Sequence, residues 1–170
     1  PIWWLILHGI ILRVRPAKSA AKYASIWTAQ GSPLLVHTKA QAEGLQQALS
    51  ARGHHVAVLP AMRYGQPGIG EQLDLLKAEG ATRVLVLPAY PQYSGTTTAS
   101  VFDAFYRWGQ KIRHLPEFRF VNRYHDDVGY IQALAARVRA HWQQHGQGEV
   151  LVMSFHGVPE RTLHLGDPYH

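Results

Sequence analysis

Apolar residues recur along this chain with helical and strand periods in alternation. Leu35, Thr38, Ala42, Leu45 and Leu49 fall on one face of a helix that Gly53 stops. An apolar run, His55–Met62, then reads as a strand, followed by a helical stripe of Ile69, Leu73 and Leu76 that ends at Gly80. Val84–Leu87 reads as a buried strand and Thr96–Lys111 as the helix after it. Phe118–Val121 is a third strand, Ile131, Leu134, Val138 and Trp142 stripe another helix, and Val150–Met153 is a fourth strand. Strands thus begin near residues 56, 84, 118 and 150, close to the ~30-residue length of a strand–helix–strand unit. Right-handed crossovers between such units give a parallel sheet with helices on both faces, an α/β fold.

Ahead of this alternation, residues 18–30 place Ala20, Tyr23 and Trp27 on one helical face before a Gly31-Ser32-Pro33 break. Residues 1–30 are therefore expected to be an apolar lip and a following helix, attached to an α/β body over 31–170. No linker or low-complexity tract divides the two. The lip, Pro1–Leu12, contains Trp3, Trp4 and Leu5 and is interrupted by His8 and Gly9. It is too short for a bilayer-spanning helix, which needs about 20 apolar residues. Its positive charges follow the apolar run, the reverse of a signal peptide. Two readings fit it: a buried segment before a solvated basic helix, or an interfacial patch with indoles among lipid headgroups and cations beside them. The chain begins at Pro1 without an initiator Met, and a preceding segment is expected.

Charge sharpens that picture. The chain carries 17 Lys and Arg against 11 Asp and Glu. Arg13, Arg15, Lys18, Lys22 and Lys39 all precede the first acidic residue, Glu43, and the remainder is nearly neutral. A nucleic-acid binder is basic over its folded surface, so no nucleic-acid partner is expected. The absence of cysteine excludes disulfides, thiolate metal sites and Cys nucleophiles within these 170 residues and suits a reducing compartment.

Ligands of open α/β sheets bind beyond the carboxyl ends of the strands. Four exits can be inspected there: Met62-Arg63-Tyr64, the run from Pro88 to Thr98, Asn122-Arg123-Tyr124-His125, and the run from Ser154 to Pro159. All carry aromatic residues, two add Arg and two add His. Rings beside guanidinium groups suit a flat, largely apolar ligand with anionic tails. No P-loop or nucleophile elbow occurs, and Leu73 stands where a dinucleotide fingerprint begun at Gly68-Ile69-Gly70 needs its third glycine. His141 and His145 share a helix face, but no third metal ligand accompanies them.

Tyr90-Pro91-Gln92-Tyr93-Ser94 with Thr96–Thr98, the block Ser154-Phe155-His156-Gly157-Val158-Pro159, Gly166-Asp167-Pro168-Tyr169, Gly31–Leu34 and Pro16–Trp27 together resemble the ferrochelatase family, the metal-inserting enzymes of haem synthesis. The blocks stand in the family's order and the resemblance spans essentially the whole chain. It implies a Rossmann-like fold of two similar domains with a porphyrin cleft between them. By that comparison the chain is the first domain without its first strand and stops before the second domain. The full-length parent is then expected to insert Fe²⁺ into protoporphyrin IX or coproporphyrin III, and the fragment to be inactive alone.

The resemblance also implies roles. His156 is the candidate base or metal ligand, because an imidazole accepts a proton at neutral pH where a lysine is already charged. Arg63 and Tyr64 match a pair beside the macrocycle, Tyr90 and Tyr93 belong to the pocket block, and Ser32 sits in the Gly-Ser-Pro turn. Porphyrin and Fe²⁺ are the expected partners, with peripheral membrane contact through Trp3, Trp4 and Leu5 and a cytoplasmic location. No resident cofactor is expected. Gly95 stands where animal relatives carry a cysteine of an iron–sulfur cluster, so none is expected from this stretch. The family's catalytic glutamate lies in the second domain. Two alternatives remain: another tetrapyrrole chelatase, or a non-catalytic porphyrin or haem carrier.

Overall fold

The computed structural model describes residues 2–170, and for residues 2, 5, 10, 11, 14, 15, 17 and 18 it describes the backbone only. The Leu5 side chain, part of the expected lip, therefore lies outside the described residues. Pro1–Pro67 and Gly68–His170 form two compact units.

In the first unit, α1 (Ile2–Ile6), a π-helical stretch (Leu7–Ile11) and α2 (Leu12–Ala24) follow end to end. The helix expected over 18–30 thus starts at Leu12 and stops at Ala24. Pro16 lies inside it and has no N–H for the carbonyl of Leu12, directly after the widened turn. The chain then reverses in a tight turn in which Thr28 and Gly31 exchange backbone hydrogen bonds of 3.0 Å. Gly31 takes φ +113°, which a side chain would oppose. The next helix, α3 (Pro33–Ala51), starts where the sequence predicts: Ser32 Oγ accepts from Leu35 N at 3.2 Å and Pro33 occupies the first turn.

The strand expected over 55–62 is not in a ladder. The side chain of Gln46 on α3 does part of a neighbouring strand's task, donating from Nε2 to Val56 O and accepting at Oε1 from Val58 N, both at 2.8 Å.

The second unit carries the sheet. β1 (Arg83–Val86) and β2 (Glu117–Phe120) pair in parallel, with Val84 opposite Phe118 and Val86 opposite Phe120. The crossover between them is α5 (Thr98–Gly109), preceded in the chain by α4 (Ile69–Ala78). Ile69 and Leu73 of α4, Val101, Phe105 and Trp108 of α5, and Val84 and Val86 of β1 make the buried core. Phe118 and Phe120 close it, each 5.6 Å from the Phe105 ring in an edge-on arrangement. The Trp108 indole keeps a polar partner by donating to Asp74 Oδ1 at 2.8 Å.

This is the α/β fold expected, with a correction in extent. Among the described residues the ladder contains two strands, and Val150–Met153 does not pair. Helices α4 and α5 cover one sheet face; on the other, Leu85 is 66% exposed. α6 (Val128–His145) forms as predicted, capped by Asp127, whose side chain accepts from Tyr130 N, yet none of its residues is buried. Two strands offer little area for a second helix layer. Among the described residues, neither 55–62 nor 150–153 joins that ladder. A short helix, α7 (Glu160–His164), precedes the terminal Gly166–Tyr169 turn.

Candidate functional site

The strand exits of the second unit are held to one another by backbone. Tyr124 N, beyond β2, donates to Pro91 O, beyond β1, at 2.9 Å. The Tyr124 ring meets Tyr130 edge-on at 5.3 Å. Burial, and then Tyr130, pushes its phenol above the ordinary value and keeps it neutral. Around this join lies a small hollow lined by Gln92, Tyr93, Arg123, His125, Pro168 and Tyr169. It gathers residues from three separate stretches of sequence, two of them strand exits.

Asp167 is the joint between two of those stretches. Its Oδ2 accepts from Ser94 Oγ at 2.9 Å and from Gly95 N at 2.8 Å, and its Oδ1 accepts from Tyr169 N at 3.1 Å. Ser94 is 1% exposed, so its hydroxyl needs a partner within the fold, and the carboxylate supplies one beside Thr96 Oγ1 at 3.0 Å. Sequence reasoning gives Asp167 no role of its own. No local signal marks it in the sequence, because its partners Ser94 and Gly95 lie more than 70 residues earlier in the chain.

The Gly95 N–H holds the Asp167 carboxyl below the ordinary carboxylate value of 3.8. The Ser94 hydroxyl, Tyr169 N–H and His170 act in the same direction, against desolvation. The folded state therefore binds this proton less readily than the unfolded chain. Its stabilisation is complete above the unfolded value and disappears as pH falls through the folded one. We expect the urea midpoint of the wild type to drop more steeply than that of Asp167→Asn below about pH 4. Parallel acid limbs would show that the clasp does not contribute.

The expected site residues divide between the units. Ser32, Arg63 and Tyr64 lie in the first. Ser32 caps α3, and the Arg63 guanidinium lies 4.5 Å from the centre of the exposed Tyr64 ring, a cation–π stack. Tyr90, Tyr93 and His156 lie in the second. Tyr93 lines the hollow, while Tyr90 is 40% exposed. His156 is exposed, and its Nδ1 is 2.8 Å from Gly157 O. A carbonyl oxygen only accepts, so Nδ1 carries the hydrogen and the lone pair of the neutral ring is on Nε2. The His141 and His145 rings stand 4.5 Å apart, and no group of three or more metal-binding side chains comes together among the described residues.

The ferrochelatase family model matches residues 1–170. The chain belongs to the ferrochelatase family. It is 72% identical over all 170 residues to a ferrochelatase of Polaromonas sp., covering 46% of that protein. It is 66% identical over 169 residues to a ferrochelatase of Methylibium petroleiphilum, and 57% identical over 172 aligned positions to one of Dechloromonas aromatica, covering 47% of each. The chain thus spans just under half the length of these ferrochelatases.

Proposed function

We propose that the full-length protein of which this chain is part is a ferrochelatase that inserts Fe²⁺ into a porphyrin with release of two protons. The observation that carries this is the match to ferrochelatases along the whole chain at up to 72% identity. A free porphyrin turns four nitrogens inward and holds two N–H protons there. Bending the ring exposes a lone pair to the metal, and a base must take the protons. We assign that role to His156: its Nδ1–H is held by Gly157 O, so Nε2 is the atom that accepts. His156 is also the candidate for delivering the metal substrate, since the same lone pair ligates Fe²⁺.

Arg63 is assigned to a porphyrin carboxylate and Tyr64, Tyr90 and Tyr93 to the macrocycle, with Ser32 a further polar contact. The exposed rings of Tyr64 and Tyr90 support this reading because exposed aromatic faces gain from covering a flat ligand. Trp3 is 67% and Trp4 61% exposed, which supports a peripheral membrane contact through them and Leu5. No described helix is long and apolar enough to cross a membrane. A cytoplasmic location at the membrane surface completes the reading. No cluster ligand is assigned to Gly95, and the reaction needs no resident cofactor from this chain.

The test is to mix the purified full-length protein with protoporphyrin or coproporphyrin and Fe²⁺ or Zn²⁺ and follow loss of free-porphyrin fluorescence. Catalysed metal insertion is expected. Tight porphyrin binding without insertion would mark a carrier instead, and activity only on a more heavily carboxylated ring would mark another tetrapyrrole chelatase.

A further inference from the structure

From the clasp geometry we infer that Asp167 is a positioning residue for metal insertion, holding the His156-bearing exit against the Tyr90–Ser94 exit. The inference rests on the function proposed above. His156 lies, exposed, on the segment that runs from 150 to 158. The residues after this segment are tied tightly. Thr162 donates to Pro159 O through both its backbone N, at 2.8 Å, and Oγ1, at 2.7 Å. Thr162 O in turn accepts from Asp167 N at 3.0 Å. Residues 159–167 are thus a hydrogen-bonded knot, and the Asp167 carboxylate fastens it to Ser94 and Gly95, more than 70 residues earlier in sequence. Three residues separate His156 from the knot at Pro159, a reach of at most about 10 Å.

The carboxylate also holds two of the three stretches that line the hollow. Through Oδ2 it holds Ser94, next to Tyr93; through Oδ1 it holds Tyr169. Both oxygens are used as acceptors by N–H and O–H donors. An amide cannot reproduce this, because its NH₂ would face a donor whichever way it turned. Gly95 needs no special backbone angle, and a Cβ there would meet Asp167 Oδ2 at 3.4 Å, so the carboxylate rather than the glycine is the feature that specifies the clasp.

The experiment compares wild type, Asp167→Asn and Ser94→Ala of the full-length protein by steady-state zinc insertion, porphyrin titration and thermal melting. For D167N the kcat is expected to fall at least ~10-fold while the porphyrin KM changes less than ~3-fold, since misplacement by about 1 Å costs up to ~100-fold. Ser94→Ala, which keeps the charge and the Gly95 bond, is expected to show the same split with a smaller loss. Full kcat in D167N overturns the inference. So does a loss of kcat that merely follows the folded fraction and returns on cooling. If D167N does not fold, S94A decides: reduced kcat at unchanged melting temperature supports positioning, and unchanged kcat overturns it. A wild type that inserts no metal removes the function proposed above and this inference with it, whereas an active wild type beside a fully active D167N removes this inference alone.

Discussion

Replacing His156 by alanine in the full-length protein is expected to lower metal insertion by about 10²–10⁴-fold, the usual contribution of a positioned acid–base group. Porphyrin affinity is expected to stay within about 3-fold, because the substitution leaves the proposed ring and carboxylate contacts, Tyr64, Tyr90, Tyr93 and Arg63, in place. Lone pairs decide the effect. With Nδ1–H held by Gly157 O, the imidazole presents Nε2 as the acceptor, and alanine leaves nothing at that position to take a pyrrole proton. Fluorescence separates the two effects in one sample: quenching on mixing reports binding, and the subsequent decay with Zn²⁺ or Fe²⁺ reports insertion. Unimpaired turnover would remove His156 from the reaction, and loss of binding in step with turnover would make it a binding residue instead.

Phe105→Ala is expected to destabilise the second unit by about 3–5 kcal/mol, the range for removing a buried aromatic ring. Phe105 is 8% exposed and projects from α5 against the rings of both Phe118 and Phe120. Among the described residues the ladder has two strands, and these three rings join the helix to one of them. A loss of this size is a large fraction of the ~5–15 kcal/mol that stabilises an ordinary domain. Urea unfolding of the full-length protein, followed by the fluorescence of Trp108 against a W108F control, measures it. A cost below about 1.5 kcal/mol would mean that the site relaxes around the missing ring.

The Asp167 clasp and the Phe105 cluster act at different levels. The rings hold α5 to the strands; the carboxylate holds the loops at the strand ends. Phe105 variants are therefore expected to show in unfolding, and Asp167 variants in kcat beyond the stability that the clasp itself contributes.

Local chemistry was enough to read α3 through α6 from the sequence. The stripes of Leu35 to Leu49, of Ile69 and Leu73, and of Ile131 to Trp142 follow from one helical period, and the structure adds the caps at Ser32 and Asp127. The same local logic placed β1 and β2 and the aromatic strand exits, and the Tyr90–Ser94 and Ser154–Pro159 blocks were specific enough to identify the family. The tertiary structure decided whether apolar runs become strands. Val150–Met153 has the composition of Val84–Val86, yet only the latter pairs, because a strand exists only where another chain segment offers it an edge. It also decided that Ser94 is buried and that its partner is Asp167. A hydrogen bond between residues so far apart in the chain leaves no periodicity to read; it arises when two loops are brought to the same end of a sheet.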